Sequence, residues 1–231
     1  MNYGFVPTEG EGPRIHLAEG DEPDRLCIQL YRHVVNRAEL SGKDVLEVGS
    51  GRGGGASYVA RYHRPAQMIG VDFSSQAVAL CKERHKGVLN LDFRVSDAET
   101  LPFSEATFDA VINVESSHCY GDVRAFVKGV HRVLRPGGWF LFADLRDRGG
   151  ATELEEILTG YQWTHFEKEE ITAGVVEAME RDDGRKRTII EQLIPTQLRP
   201  LFEEFAGLTG GKVHRGFQTG ELAYLRFGMQ K

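Results

Sequence analysis

Apolar residues follow two periods along this chain, and each change of period marks a new element. From Asp21, residues Leu26, Leu30, Val34 and Ala38 recur at the spacing of one helical face. Asp21 suits the cap, Pro23 the first turn, and Gly42 the stop. "DVLEVG" (44–49) then reads as a strand, "GGASYVARYHR" (54–64) as a helix and "QMIGVD" (67–72) as a second strand. "SSQAVALCKERH" (74–85) is a helix that Ser74 or Ser75 can cap. "LDFRVSD" (91–97) and "FDAVINVES" (108–116) are strands on either side of a turn-like stretch. "DVRAFVKGVHRVLRPGG" (122–138) is an amphipathic helix ended by Pro136 and two glycines, followed by the strand "WFLFADLR" (139–146). Strands alternating with helices predict an α/β fold with a doubly wound, mainly parallel sheet joined by right-handed crossovers.

After the fifth strand the rhythm breaks. Residues about 151–182 and 195–206 read as helices with acid-rich faces, and "ELAYLRFGMQ" (221–230) as a last strand, with no further strand placed between Leu208 and Gly220. Ligands in open α/β sheets sit beyond the carboxyl ends of the strands, so the helical insertion at about 151–206 is expected to form a lid. The domain proper spans 22–231, preceded by an irregular arm, 1–21, rich in Gly, Pro and Glu. Tyr3, Phe5 and Val6 are apolar within that arm. The pattern predicts that they fold over the site, with Tyr3 and Phe5 against an apolar substrate. Deleting the arm should then raise KM and leave the fold intact.

The turn "VLEVGSGRGGG" (45–55) decides what the sheet binds. Gly49, Gly51 and Gly53 allow the backbone to turn tightly and approach a ligand. The G-x-G-x-x-G spacing alone also fits a dinucleotide site. The strand ends, however, carry Glu47, Asp72, Asp97, Glu115 and Asp144, one acid each. A rim of acids disfavours a pyrophosphate and favours a ligand with positive centres. S-adenosylmethionine has an ammonium, a sulfonium and a ribose diol, and no phosphate.

Composition narrows the partners. The chain has 231 residues, 41% hydrophobic and 27% charged, with a formal net charge of -6. That balance argues against nucleic acid or an anionic membrane as the main partner, and no run has the ~18 apolar residues of a membrane span. The polar, acidic N-terminus is unlike a signal peptide, and the three cysteines, Cys27, Cys81 and Cys119, share no CxxC spacing. The expectation is a cytoplasmic enzyme acting on a small apolar molecule. Its oligomeric state is left open, a homodimer included.

In order, "VLEVGSGRGGG", "IGVDFS", "VSDAETLPF", "FDAVINVESSHCY" and "RVLRPGGWFLFADLR" resemble the successive motifs of class I SAM-dependent methyltransferases over roughly residues 22–146. "DEPDRLCIQLYRHVV", "LCKERH", "VESSHCY", "FADLR" and "GELAYLRF" further resemble the phthiotriolone/phenolphthiotriolone dimycocerosate O-methyltransferases and related enzymes of polyketide-derived lipids. This second likeness is weakest through about 150–215. The resemblance implies a Rossmann-like, seven-stranded-type sheet. It also implies that Glu47, Gly49, Ser50, Gly51 and Gly53 hold the methionine part of the cofactor. Asp72 would take the ribose hydroxyls, Phe73 lie on the adenine, Asp97 and Ala98 read its edge, and Asn113 and Val114 line the methionine side. Ser50 stands where many relatives have cysteine.

Methyl transfer to an alcohol requires alignment and a base for the hydroxyl proton. "VESSHCY" offers His118, with an ordinary pKa of about 6.5. Glu115 would orient its imidazole or meet the cofactor's ammonium, Tyr120 would bond the substrate, and Cys119 would line the pocket. A capping or packing role for His118 remains the alternative. No metal is expected, because Asp144 has no accompanying ligands at clear spacing. Oxygen methylation of a hydroxylated polyketide- or lipid-like metabolite leads. Carbon or nitrogen methylation, a nicotinamide oxidoreductase and a cofactor-binding protein without catalysis stay open.

Overall fold

A computed structural model describes residues 2–7 and 15–231. The arm's residues 8–14 lie outside that description. A 3-10 turn, Glu19–Asp24, leads into α1, Arg25–Val35. Then follow β1, Asp44–Val48, α2, Gly54–Tyr58, β2, Gln67–Asp72, α3, Ser75–Arg84, and β3, Leu91–Val95. The second half comprises β4, Phe108–Val114, α4, Val123–Val133, β5, Leu134–Asp147, α5, Arg148–Thr159, and β6, His165–Glu170. It closes with α6, Thr172–Leu193, α7, Arg199–Phe205, α8, Lys212–Thr219, and β7, Leu222–Gln230.

The seven strands form one sheet in the order β3-β2-β1-β4-β5-β7-β6. β1 pairs in parallel with both β2 and β4, and β7 runs antiparallel between β5 and β6. The chain order therefore reverses between β1 and β4, which puts the binding crevice beside the carboxyl end of β1. Near-continuous apolar strands such as "FDAVINV", buried at six of seven positions, follow from helices covering both faces. One face packs Tyr31 and Val34 of α1, Val59, Val78, Val175 and Phe217. The other packs Phe126, Val127 and Val130 of α4 and Leu154 and Leu158 of α5.

Three expectations change at this stage. Asp21 does not cap α1; its carboxylate takes two hydrogen bonds from Arg61, at 2.6 and 2.9 Å, and one from Tyr62 at 2.6 Å. α4 stops at Val133 rather than running to Gly138, because Pro136 disfavours helical geometry in the residue before it and the chain turns extended. Residues 165–170, expected to be helical, form β6 on the sheet edge, where Glu167 and Glu169 pair with the buried Arg226 of β7. α8 occupies part of 208–220, where no strand had been placed. Ser74 does cap α3, its Oγ accepting from Ala77 N at 3.2 Å. No helix among the described residues is long and apolar enough to cross a membrane.

Candidate active site

The turn after β1 is built to bring backbone close to a ligand. Gly49 N and Ser50 N both donate to Val71 O, at 2.8 and 2.9 Å, which ties the turn to β2. Gly49 has φ +78, and a Cβ there would lie 1.8 Å from Ser116 Oγ and 2.9 Å from Tyr120 Oη. Only glycine fits. Gly51 N donates to Asp72 Oδ2 at 2.8 Å, and Gly53 precedes α2. Asp72 also accepts from Ser74 N at 2.9 Å, so this acid fixes the turn as well as facing the crevice. Next along the rim, Ser96 N donates to Asp72 O at 3.0 Å, carrying Asp97 and the buried Ala98 to the neighbouring strand end. Asp97 caps a short 3-10 turn through Glu99 N at 2.9 Å. Phe73, at the end of β2, is 78% exposed, so burial in the core does not account for it.

Glu47 is fully buried in β1. Tyr31 of α1 donates its hydroxyl to Glu47 Oε1 at 2.5 Å. Burial pushes the Glu47 carboxyl up to about 7, against the Tyr31 hydrogen bond. Asn113 of β4 spans the crevice, its Nδ2 donating to Val48 O at 2.8 Å and Tyr120 Oη at 3.0 Å, with buried Val114 beside it. Glu47 Oε2, Ser50 Oγ and Asn113 Oδ1 are buried and have no partner among the described residues. A buried polar atom left unpaired costs about 1–3 kcal/mol, so three beside one turn call for a ligand that donates hydrogen bonds. The ammonium of S-adenosylmethionine fits that set, and the exposed Phe73 face and the rim acids fit its nucleoside half.

Past β4, Glu115 adopts φ +47, a left-handed conformation uncommon for a side chain of this kind. Its Oε1 accepts from Tyr3 N at 2.8 Å and from Tyr224 Oη of β7 at 2.9 Å, and burial pushes its carboxyl to about 7. The expected orienting contact to His118 comes instead from Asp144. Its Oδ1 lies 2.7 Å from His118 Nδ1, while its Oδ2 accepts from His118 N at 3.0 Å and from Ser117 Oγ at 2.7 Å. Arg146 completes the arrangement, 3.1 Å from Asp144 Oδ2. Burial acts upward on the fully buried Asp144, yet His118 and Arg146 hold it below its ordinary value. The Asp144 hydrogen bond raises the His118 pKa, against burial. The imidazole stays 37% exposed, and its Nε2 bonds to no described residue. Cys119 is exposed next to it, and Tyr120 sits under the turn, 2.7 Å from Ser116 Oγ.

The arm reaches the same region. Tyr3 packs edge-on against Phe217, with ring centroids 6.4 Å apart, and its amide bonds Glu115. Phe5 was expected to face substrate. It is instead buried, its ring 4.3 Å from that of His33, its amide bonded to Leu26 O. Val6 is buried as well, bonding Gly174 O of α6 at 2.9 Å. The arm therefore supports the core, and its removal would weaken the fold.

Two contributors escaped the sequence. Tyr31 reads in sequence as another apolar-face residue of α1. Tyr224 reads as strand filling. Neither has a local signature, because each acts through a partner distant in sequence.

A methyltransferase-domain model matches residues 46–142. The chain is 40% identical over 208 residues to a phthiotriol/phenolphthiotriol dimycocerosates methyltransferase of Mycobacterium tuberculosis, covering 90% of this chain and 77% of that one. It is 40% identical over 205 residues to a fatty-acid O-methyltransferase of Mycolicibacterium smegmatis, covering 89% and 74%. A solved putative sarcosine dimethylglycine methyltransferase from Galdieria sulphuraria shares the fold at TM-score 0.77 and 10% identity, over 100% of this chain and 92% of that one. With a motif order, a strand order and orphaned acceptors that agree, the chain belongs to the class I S-adenosylmethionine-dependent methyltransferases, alongside the phthiotriol/phenolphthiotriol dimycocerosates methyltransferases.

Proposed function

We propose that this methyltransferase acts on a hydroxyl oxygen of an apolar, lipid- or polyketide-like molecule, with His118 as general base. One observation carries the base assignment: Asp144 Oδ1 holds His118 Nδ1 at 2.7 Å, and Nε2 of the half-exposed ring is left without a protein partner. Bound S-adenosylmethionine supplies an electrophilic methyl carbon. His118 Nε2 takes the hydroxyl proton as the acceptor oxygen attacks. The buried Asp144 carboxylate stabilises the resulting imidazolium. Asp144 is thus a positioning residue, and Arg146 and Ser117 in turn fix its carboxylate.

On the cofactor side, Glu47 Oε2 and Asn113 Oδ1 receive the ammonium, Ser50 and the glycine backbone seat the methionine portion, and Val114 lines its flank. Asp72 meets the ribose, Phe73 the adenine face, and Asp97 with Ala98 the adenine edge. Glu115 then serves as the anchor of the arm. Tyr3, with Cys119 and Tyr120, borders the acceptor, and the arm with α6 covers it. The relatives' names, a phthiotriol lipid enzyme and a fatty-acid enzyme, support an apolar acceptor.

A fatty-acid carboxylate is ionised near pH 7 and requires no base, whereas an alcohol does. Labelled-methyl transfer across hydroxylated polyketides, long-chain alcohols and fatty acids, run with wild type and His118→Ala, separates these acceptors. Transfer to alcohols that falls about 100-fold or more in the variant supports the proposal. Full activity of His118→Ala on the preferred alcohol removes the base. Exclusive use of carboxylic acids removes the hydroxyl.

A further inference from the structure

Of the ten large apolar side chains open to solvent among the described residues, six lie within residues 189–205. Leu198, Leu201, Phe202 and Phe205 stand at i, i+3, i+4 and i+7, the spacing of a helical face normally turned to a core. Here they are 48%, 68%, 37% and 70% exposed, and Ile189 and Leu193, one turn apart on α6, extend the face. The lobe's own core, Ile190, Ala206 and Leu208 with Ile194, uses none of them. Together they present on the order of 500 Å² of apolar surface, at the upper end of the roughly 300–600 Å² found as the largest patch on a monomer.

This face adjoins the candidate site. Ala206 O accepts from the buried Lys186 Nζ at 3.1 Å, whose ammonium sits 5.8 Å from the Tyr3 ring. A Cβ on Gly207 would come 2.6 Å from that ring. Tyr3 in turn donates its amide to Glu115, three residues before His118.

We propose that the 189–205 face docks on the neutral lipid phase from which the acceptor is drawn; this rests on the apolar-acceptor assignment above. An acceptor with long hydrocarbon chains resides in lipid, so its enzyme needs a lipid-wetting face beside the site's entrance. The six side chains project from the end of α6, the 3-10 turn Thr196–Leu198 and α7, and leave the lobe's small core untouched. A fluid hydrocarbon accommodates such a surface without shape complementarity, which a protein seam demands. A second copy seated on this face would bury about 500 Å² on each partner, below the roughly 800 Å² per partner of a standard protein interface. Arg187 and Arg199, engaged with Asp183 and with the carbonyls of Glu191 and Ile194, are not offered as an anionic-lipid site.

Flotation of the full chain with phosphatidylcholine vesicles tests this, with Leu201→Ser/Phe205→Ser as the variant. Wild type should float, and the variant's partitioning should fall at least about tenfold. The variant should keep its melting temperature and its kcat on a short-chain, water-soluble acceptor, while losing turnover on the vesicle-borne one. Phe205→Trp keeps the face apolar and should show blue-shifted emission on the same vesicles. Wild type that stays in solution overturns the proposal. So does flotation only with phosphatidylglycerol vesicles that salt abolishes, or a wild-type dimer that the variant converts to monomer. If the face binds vesicles but no lipid hydroxyl is methylated, the docking stands and the acceptor assignment falls.

Discussion

Replacing Glu47 with glutamine should strengthen the fold and weaken the site together. Burial raises this carboxyl from 4.5 to about 7 in the folded chain. A folded pKa above the unfolded one favours the protonated folded form, so the stabilisation is full below about 4.5. It is lost as pH rises, and the loss is complete above about 7. The interval corresponds to about 3 kcal/mol. Glutamine retains an oxygen for the Tyr31 hydroxyl, 2.5 Å away in wild type, and carries no charge to bury. Glu47→Gln should therefore melt above wild type at pH 8, the difference vanishing towards pH 4.5. Binding reverses the order. An ammonium beside Oε2 stabilises the carboxylate, so wild type below pH 7 should release a proton on binding S-adenosylhomocysteine. Its affinity should climb up to about 100-fold between pH 5 and pH 8. Calorimetry in two buffers of different ionisation heat counts that proton, and differential scanning across pH measures the stability. Glu47→Gln should release none and bind about 10–100-fold more weakly. Glu115→Gln, run in parallel, separates the second buried carboxyl at about 7. A glutamine variant less stable than wild type at pH 8, or wild-type binding with no proton released at pH 6, would refute the reasoning.

The other expectations concern single contacts. Tyr31→Phe removes the donor that holds Glu47 and should loosen S-adenosylhomocysteine binding about 3- to 10-fold by titration, with the fold retained. Asp144→Asn should lower kcat about 10- to 100-fold and move the acid limb of kcat/KM to lower pH, since Asp144 is what raises His118; an unmoved limb would disconnect the pair from catalysis. Gly49→Ala, which drives a methyl into Ser116 Oγ in a left-handed turn, should abolish the thermal shift given by S-adenosylhomocysteine. Tyr3→Ala removes the ring that packs on Phe217 and keeps the amide donated to Glu115; KM for the acceptor should rise more than cofactor Kd, and equal effects would detach the arm from the acceptor side.

Much of the nucleotide half was legible because it is local. A strand, a glycine turn and an acid lie within ten residues of one another, and the same unit recurs one strand later at Asp72. Periodicity located β1 to β5 and β7 for a similar reason: each carries a local run of apolar residues, buried along most of its length except in β3. β6 escaped because its residues are mostly charged, and a two-fold alternation is faint where only Phe166 is apolar. The partners of His118 were misassigned for a different reason. Glu115 is its neighbour in sequence, but the left-handed kink at Glu115 sends that side chain to Tyr3 and Tyr224, and Asp144 arrives from the adjacent strand. Hydrogen bonds of this kind join residues more than 25 apart and leave no spacing to read. The arm shows the same limit: its apolar residues were visible, while their split between the core, at Phe5 and Val6, and the contact to Glu115, at Tyr3, depended on packing.

The charged strand β6 also governs how these molecules behave in company. It closes one side of the sheet, where bare amides and carbonyls invite a foreign strand to add on. Its sequence, His165-Phe166-Glu167-Lys168-Glu169-Glu170, would oblige any incoming ribbon to strip water from a file of ionised groups. Two of them, Glu167 and Glu169, are already committed to the deeply buried Arg226 on β7, at 3.2 and 3.1 Å. A concentrated solution of the enzyme should thus resist fibrous stacking, and neutralising that border would open the route to it.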